Sequence, residues 1–203
     1  MSELLDAIRL IYVVDDQAAR DTAHLESVLT AGVTMLWLRV PDAPGHKLYE
    51  LGLGLRALTR RLGRALVVGD RADVARAVEA DGVQLGHRAP PAEALRGQIP
   101  GWMGVSCHGE EALRDGALAG ANYLVLSPVR SVPGKGAPLG LERFQALRAG
   151  VDRPVVALGG IDVDIGEELR RRGADGVAVI RALRDAPDPA SAARRLCAGM
   201  TSS

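Results

Sequence analysis

Four times along this chain an amphipathic stretch runs into a small-residue turn and then directly into a short aliphatic run. The junctions read LTAGVTMLWLR (29–39), VEADGVQLG (78–86), LAGANYLVLS (118–127) and RRGADGVAVI (171–180). A glycine at or near a helix C-terminus takes the left-handed cap conformation at little cost, so the chain can pass straight from helix to strand. The aliphatic runs are continuous rather than alternating, which marks strands buried on both faces, as in a parallel sheet covered by helices.

Extended over the whole chain, this grammar predicts eight strands: Leu10–Val14, Val33–Arg39, Ala65–Gly69, Gly82–Leu85, Trp102–Cys107, Tyr123–Leu126, Pro154–Leu158 and Gly176–Ile180. Helical patterns fall near 18–31, 46–62, 71–80, 91–97, 109–119, 140–149, 163–172 and 187–199. Eight strand–helix pairs in 203 residues sit at the lower size limit of an α/β (β/α)8 TIM barrel, and a single compact domain over 1–203 is expected, with a frayed tail at 199–203. A doubly wound open sheet is the alternative. It normally carries a glycine-rich fingerprint after its first strand, and IYVVDDQAAR is not one.

Composition narrows the function classes. Acids and bases balance at 25 each, which gives no electrostatic case for nucleic acid or a membrane surface as partner. The opening MSELLDAIRL lacks the apolar run of a signal peptide, and no stretch reaches the ~20 apolar residues of a membrane span. Cys107 and Cys197 have neither a CxxC nor a metal-ligand spacing, so a reduced, cytoplasmic protein is expected.

Barrel chemistry sits at the C-terminal ends of the strands. That end of the seventh strand is Gly159-Gly160, and that of the eighth is Ile180-Arg181. Bare backbone N–H groups converging from two such turns make a phosphate cradle, since fixed dipoles replace the anion's hydration shell. The plain alternative is a pair of tight turns. The loop SPVRSVPGKGAPL (127–139) carries Arg130 and Lys135 and is the longest in the chain, as lids and binding loops tend to be. Ser127 opens it. Arg39 ends an apolar strand, where a cation is costly unless paired or aimed into a site; Asp15 or Asp70 would be its partner in the first case. Asp70 is a base, a metal ligand or a helix cap, and Asp73 suits a first helical turn. Ser106, Cys107 and His108 follow one another, so Cys107 and His108 point to opposite sides and are a poor nucleophile–base pair. His108 is an acid/base candidate or a cap.

Several pieces together resemble the thiamin-phosphate synthase family, including its thiazole tautomerase (TenI-like) branch. They are GDRADVARAVEADGVQLG (69–86), GVSCH (104–108), ANYLVLSPV (121–129), PLGLE (138–142), PVVALGGI (154–161) and GADGVAVIRAL (173–183). The resemblance runs nearly end to end. It implies a (β/α)8 barrel and a small phosphorylated thiazole-type ligand, with Mg²⁺ as cofactor if the synthase reaction holds and none in the tautomerase branch. The oligomeric state stays open, a dimer included. The thiazole-phosphate cradle of the family maps onto Gly160, Ile180 and Arg181, and its Gly-Val-Ser serine is Ser106.

Other family positions depart from the pattern. Of Gln-x-Arg-x-Lys on the second strand only Arg39 remains, with Trp37 and Pro41 at the flanking places. Asn-Asp-Arg becomes Gly69-Asp70-Arg71, and a second metal aspartate falls on Ala89. The sixth loop keeps Lys135 but has Val132 and Gly134 for two threonines, and the tautomerase histidine falls on Pro128. A stripped pyrophosphate end beside an intact phosphate end favours a TenI-like proton shift, with Asp70 or His108 moving the proton and Arg39 and Lys135 supplying positive charge. A working synthase, which joins hydroxymethylpyrimidine pyrophosphate to a thiazole phosphate, is the alternative. A non-catalytic binding or regulatory protein is the third.

Overall fold

The computed structural model describes residues 2–95, 97–99 and 101–201, with the side chains of the last two of these left aside. Its strands are β1 (Leu10–Val14), β2 (Met35–Leu38), β3 (Ala65–Gly69), β4 (Gly82–Leu85), β5 (Trp102–Cys107), β6 (Tyr123–Leu126), β7 (Val155–Leu158) and β8 (Gly176–Val179). All are parallel, and β8 pairs with β1 to close the barrel in sequence order. This is the (β/α)8 barrel expected, and closure excludes the open sheet.

Side chains alternate between two cores, as the two-residue period of a strand requires. Ile11, Val13, Met35, Trp37, Val67 and Val125 fill the barrel interior. Leu10, Tyr12, Leu36, Leu66, Leu124 and Val177 face the helices. The helices are α1 (Ser2–Ala7), α2 (Asp16–Arg20), α3 (Thr22–Ala31), α4 (Gly45–Leu62), α5 (Ala72–Ala77), α6 (Glu110–Leu118), α7 (Gly140–Ala149), α8 (Val163–Arg171), α9 (Arg181–Arg184) and α10 (Pro189–Thr201). Among the described residues, no helix is long and apolar enough to cross a membrane.

The differences from the sequence reading have local causes. The helix expected over 18–31 is two, because Asp21 caps α3 with its side chain on His24 N–H while Asp15 caps α2 on Ala18 N–H. The pattern at 91–97 holds only a 3₁₀ turn, Ala92–Leu95, and Arg96 lies outside the described residues. α1 was too short to show a period; its Leu4 and Ala7 join the interior core and plug the N-terminal end of the barrel. α10 continues through Gly199 to Thr201, where fraying was expected, and Ser202 and Ser203 lie outside the described residues.

The four junctions share one hydrogen-bond device. Thr34, Asp81, Asn122 and Asp175 each stand immediately before an even-numbered strand. Each donates its N–H to a carbonyl at the start of the preceding odd strand: Leu10, Leu66, Met103 and Val155, at 2.8–2.9 Å. Each then accepts that same residue's N–H on its side-chain oxygen, at 2.9, 2.8, 2.7 and 2.8 Å. Asp81 is also held by Arg56 (2.8 and 3.1 Å), and Asp175 by Arg148 at 3.0 Å.

The Asn122→Ala variant leaves the Met103 N–H without an acceptor in a partly buried place. We expect a loss of about 1–3 kcal/mol in unfolding free energy, read from urea denaturation at unchanged m-value.

Candidate active site

The C-terminal mouth of the barrel opens into a cavity of about 550 Å³. Arg39, Asp70, Ser106, His108, Ser127 and Lys135 line it, as do Gly159, Gly160, Ile180 and Arg181. Ten of the eleven candidate residues are therefore brought together. Arg130 is the exception. It is absent from the lining; its guanidinium pairs at 3.0 Å with Asp162, which does line the cavity, and so fastens the 127–139 loop to the turn after β7.

At the β7 and β8 ends the backbone is exposed to the cavity. Gly160 sits at φ 66°, a conformation that favours glycine, and a Cβ there would meet Arg130 Cβ at 2.7 Å. The residue is thus fixed by the loop packed over it as much as by the turn. Ile180 precedes α9 with no side-chain cap. None of the turn, loop and cap hydrogen bonds among the described residues is donated by the N–H of Gly160, Ile180 or Arg181. These donors remain available to an acceptor in the cavity.

Arg39, Lys135 and Arg181 bring three cations to the mouth, and no ion pair among the described residues engages them. Arg39 therefore pairs with neither Asp15 nor Asp70. Asp15 caps α2 and reaches Arg184 at 3.5 Å, and Asp16 binds Lys47 at 2.7 Å; both lie outside the cavity lining. The loop bearing Lys135 is closed at its base by Leu139 N–H on the Pro128 carbonyl and Gly140 N–H on the Val129 carbonyl, each 2.9 Å.

Asp70 does not cap α5; Arg71 holds the cap position, without a side-chain bond. The Asp70 backbone is left-handed, at φ 60°, which turns its carboxylate across to β4, where Oδ1 accepts the Gly86 N–H at 2.6 Å. Asp73 pairs with Arg71, whose guanidinium holds the Asp73 carboxyl below the usual range.

His108 lies with Nδ1 2.9 Å from the Ser127 carbonyl. A carbonyl only accepts, so Nδ1 is the donor, and in the neutral ring this leaves the lone pair on Nε2. Cys107 faces the other way, with its thiol toward the Ala112 carbonyl at 3.2 Å, and burial pushes it up to about 12. It is no nucleophile.

Sequence reasoning undervalued Trp37. The indole is 4% exposed, and its Nε1 is buried without a hydrogen-bond partner. It occupies the space beside Gly69: a Cβ there would lie 3.1 Å from Nε1 and 3.2 Å from the Leu38 carbonyl. The two departures at 37 and 69 are therefore one steric exchange between neighbouring strands. Asp162 and Asp185 also line the cavity, but they are engaged by Arg130 and Arg184.

A family model described as thiamine monophosphate synthase matches residues 10–183. The chain belongs to this family. It is 40% identical over 183 residues to the thiamine-phosphate synthase of Moorella thermoacetica, covering 87% of each chain. It is 39% identical over 201 residues to that of Archaeoglobus fulgidus, covering 97% of this chain and 95% of the relative. A solved thiamine phosphate pyrophosphorylase from Pyrococcus furiosus superposes with a TM-score of 0.88 at 34% identity, over 97% of both chains. These relatives support the synthase reading over the tautomerase reading that the departures had favoured.

Mg²⁺, which the synthase reaction implies, finds an incomplete donor set in this family member. Asp70 offers one free oxygen, Ala89 offers none, and no group of three or more His, Cys, Asp or Glu converges among the described residues. The protein residues alone do not fit a Mg²⁺ site.

Two outcomes are expected. Gly69→Asn alone overpacks against Trp37 and costs about 1–3 kcal/mol in denaturant unfolding, whereas the Trp37→Gln/Gly69→Asn pair recovers most of it, a non-additivity read by a double-mutant cycle. Burial pushes the Cys107 thiol up to about 12, so it is protonated around neutral pH. Iodoacetamide at pH 8, followed by peptide mapping, should leave it unmodified in the native protein and alkylate it after unfolding.

Proposed function

We propose that this family member is a thiamine-phosphate synthase, joining a thiazole phosphate to hydroxymethylpyrimidine pyrophosphate with loss of pyrophosphate. The observation that carries the reading is the single cavity into which three unpaired cations and two bare-backbone turns open, on a chain about 40% identical to named synthases. The N–H groups of Gly160, Ile180 and Arg181 hold the thiazole phosphate as fixed dipoles. The bond from the pyrimidine methylene to the thiazole forms as the bond to pyrophosphate breaks. Negative charge grows on the leaving group, and Arg39 and Lys135 stabilise it there. Asp70 fixes the β4 turn through Gly86, and Ser106 and Ser127 supply hydroxyls to the wall. The 127–139 loop, pinned by the Arg130–Asp162 pair, keeps water from the reacting carbon.

One observation favours a second reading. The histidine of the tautomerase branch is missing at Pro128, yet His108 bonds the carbonyl of Ser127, the residue before it. An imidazole with a free Nε2 is thus delivered to the same neighbourhood from β5. That arrangement suits a metal-free proton shift on a thiazole carboxylate phosphate.

Pyrophosphate release with both synthase substrates separates the two. The wild type is expected to release it, and Arg39→Ala to lower kcat/KM by about 10²-fold through lost stabilisation of the leaving group. Absence of pyrophosphate together with thiazole isomer exchange that is lost in His108→Ala overturns the synthase reading in favour of the second.

A further inference from the structure

Two short turns flank the C-terminal end of β3. After β2, Ala43 N–H bonds the Val40 carbonyl at 3.1 Å; after β4, Ala89 N–H bonds the Gly86 carbonyl at 3.1 Å. Asp70 anchors the second turn, since its Oδ1 accepts the Gly86 N–H at 2.6 Å. β2 and β4 are the two neighbours of β3, so a link between the turns passes over Gly69 and Asp70. Arg88 makes that link, with Nη1 donating to Asp42 Oδ1 at 2.7 Å.

The link stands on a ridge between two cavities. Beside the mouth lies a second cavity of about 570 Å³, and Gly69, Asp70 and Arg88 line both. Asp70 puts a negative charge on this ridge. A polyanion bound against it needs that charge offset, and the protein residues alone do not hold Mg²⁺ there. Asp42 chiefly, with Asp70 adding to it, holds the Arg88 guanidinium above its usual pKa, so Arg88 lies within Coulombic reach of Asp70 too.

The existing clasp is weak. The Arg88 side chain is 51% exposed and that of Asp42 86%, where water screens an ion pair to little net worth. Among the described residues Arg88 has no other ion pair, so Asp42 is all it has to release. Two oxygens of a pyrophosphate in the partly enclosed mouth offer the same guanidinium a bidentate partner of higher charge.

We propose that Arg88 is a further catalytic residue of this site: its guanidinium exchanges Asp42 for the departing pyrophosphate and offsets Asp70 there. As the bond between the pyrimidine methylene and the pyrophosphate oxygen breaks, its electron pair stays on that oxygen, and Arg88 meets the growing charge. The catalytic role rests on the synthase reading above; the exchange of Asp42 for an anion is measurable without turnover.

Calorimetry with inorganic pyrophosphate tests the exchange, in EDTA and with thiazole phosphate present to fill the cradle. The wild type is expected to bind without metal, and Arg88→Gln to bind about tenfold more weakly. Asp42→Asn frees the guanidinium and is expected to tighten binding about two- to threefold. In the Asp42→Asn/Arg88→Gln pair that gain disappears, because Asp42 acts only through Arg88. Both side chains are exposed, so the variants keep the fold. Binding that requires Mg²⁺, an unchanged affinity in Arg88→Gln, or an equal gain from Asp42→Asn with and without Arg88 overturns the proposal. Thiazole phosphate that does not bind sinks the functional reading instead, and the pyrophosphate cycle still decides the exchange.

Discussion

The four reciprocal hydrogen-bond pairs at the N-terminal rim are the constraint on which the rest of the barrel depends. The even-numbered strands are only four residues long, about 13 Å, so register at one rim decides register at the other. A slip of one residue exchanges interior and exterior faces, which would send Trp37 and Gln84 toward the helices. By binding both the N–H and the carbonyl of one partner residue, Thr34, Asp81, Asn122 and Asp175 each admit a single alignment. The active mouth is thus aligned from the opposite end of the molecule.

Much of this was legible in the sequence because it is local. The small-residue turn and the aliphatic run after it lie within about ten residues of each other, and strands β1, β3, β4, β5 and β6 have the bounds that this pattern predicts. The rule that barrel chemistry gathers at strand ends then placed ten residues in one cavity without any knowledge of their contacts. The turn residues were read only as small and cap-forming. That Asp81 and Asn122 accept from the strand before them depends on pairing across the sheet, which no single stretch of sequence displays.

What escaped was non-local in the same sense. Arg130 looked like a cavity cation because its loop is long and basic, but its partner Asp162 is 32 residues away. Trp37 and Gly69 each read as a lost donor. Together they conserve volume, since the indole stands where a larger residue 69 would reach. His108 could be placed at a strand end, but that its Nδ1 is a donor follows only from the Ser127 carbonyl just past the end of β6.

The same logic joins the missing carboxylate to the unpaired cations. Arg39, Lys135 and Arg181 face one cavity whose other carboxylates, Asp162 and Asp185, are already engaged. Ala89 stands where the family resemblance puts a second carboxylate, and under the synthase reading the mouth then carries one negative charge fewer to set against them. In the low-dielectric mouth of a barrel, such an excess raises the potential felt by a phosphate or a pyrophosphate. A site that loses a metal-binding carboxylate therefore loses part of its hold on the metal and gains, in its own side chains, part of the positive charge that the metal would have brought. Under the synthase reading, the departures on the β2–β4 side and the free guanidinium of Arg39 are two aspects of one electrostatic adjustment. The backbone cradle on the β7–β8 side, built from N–H groups rather than side chains, is untouched by it.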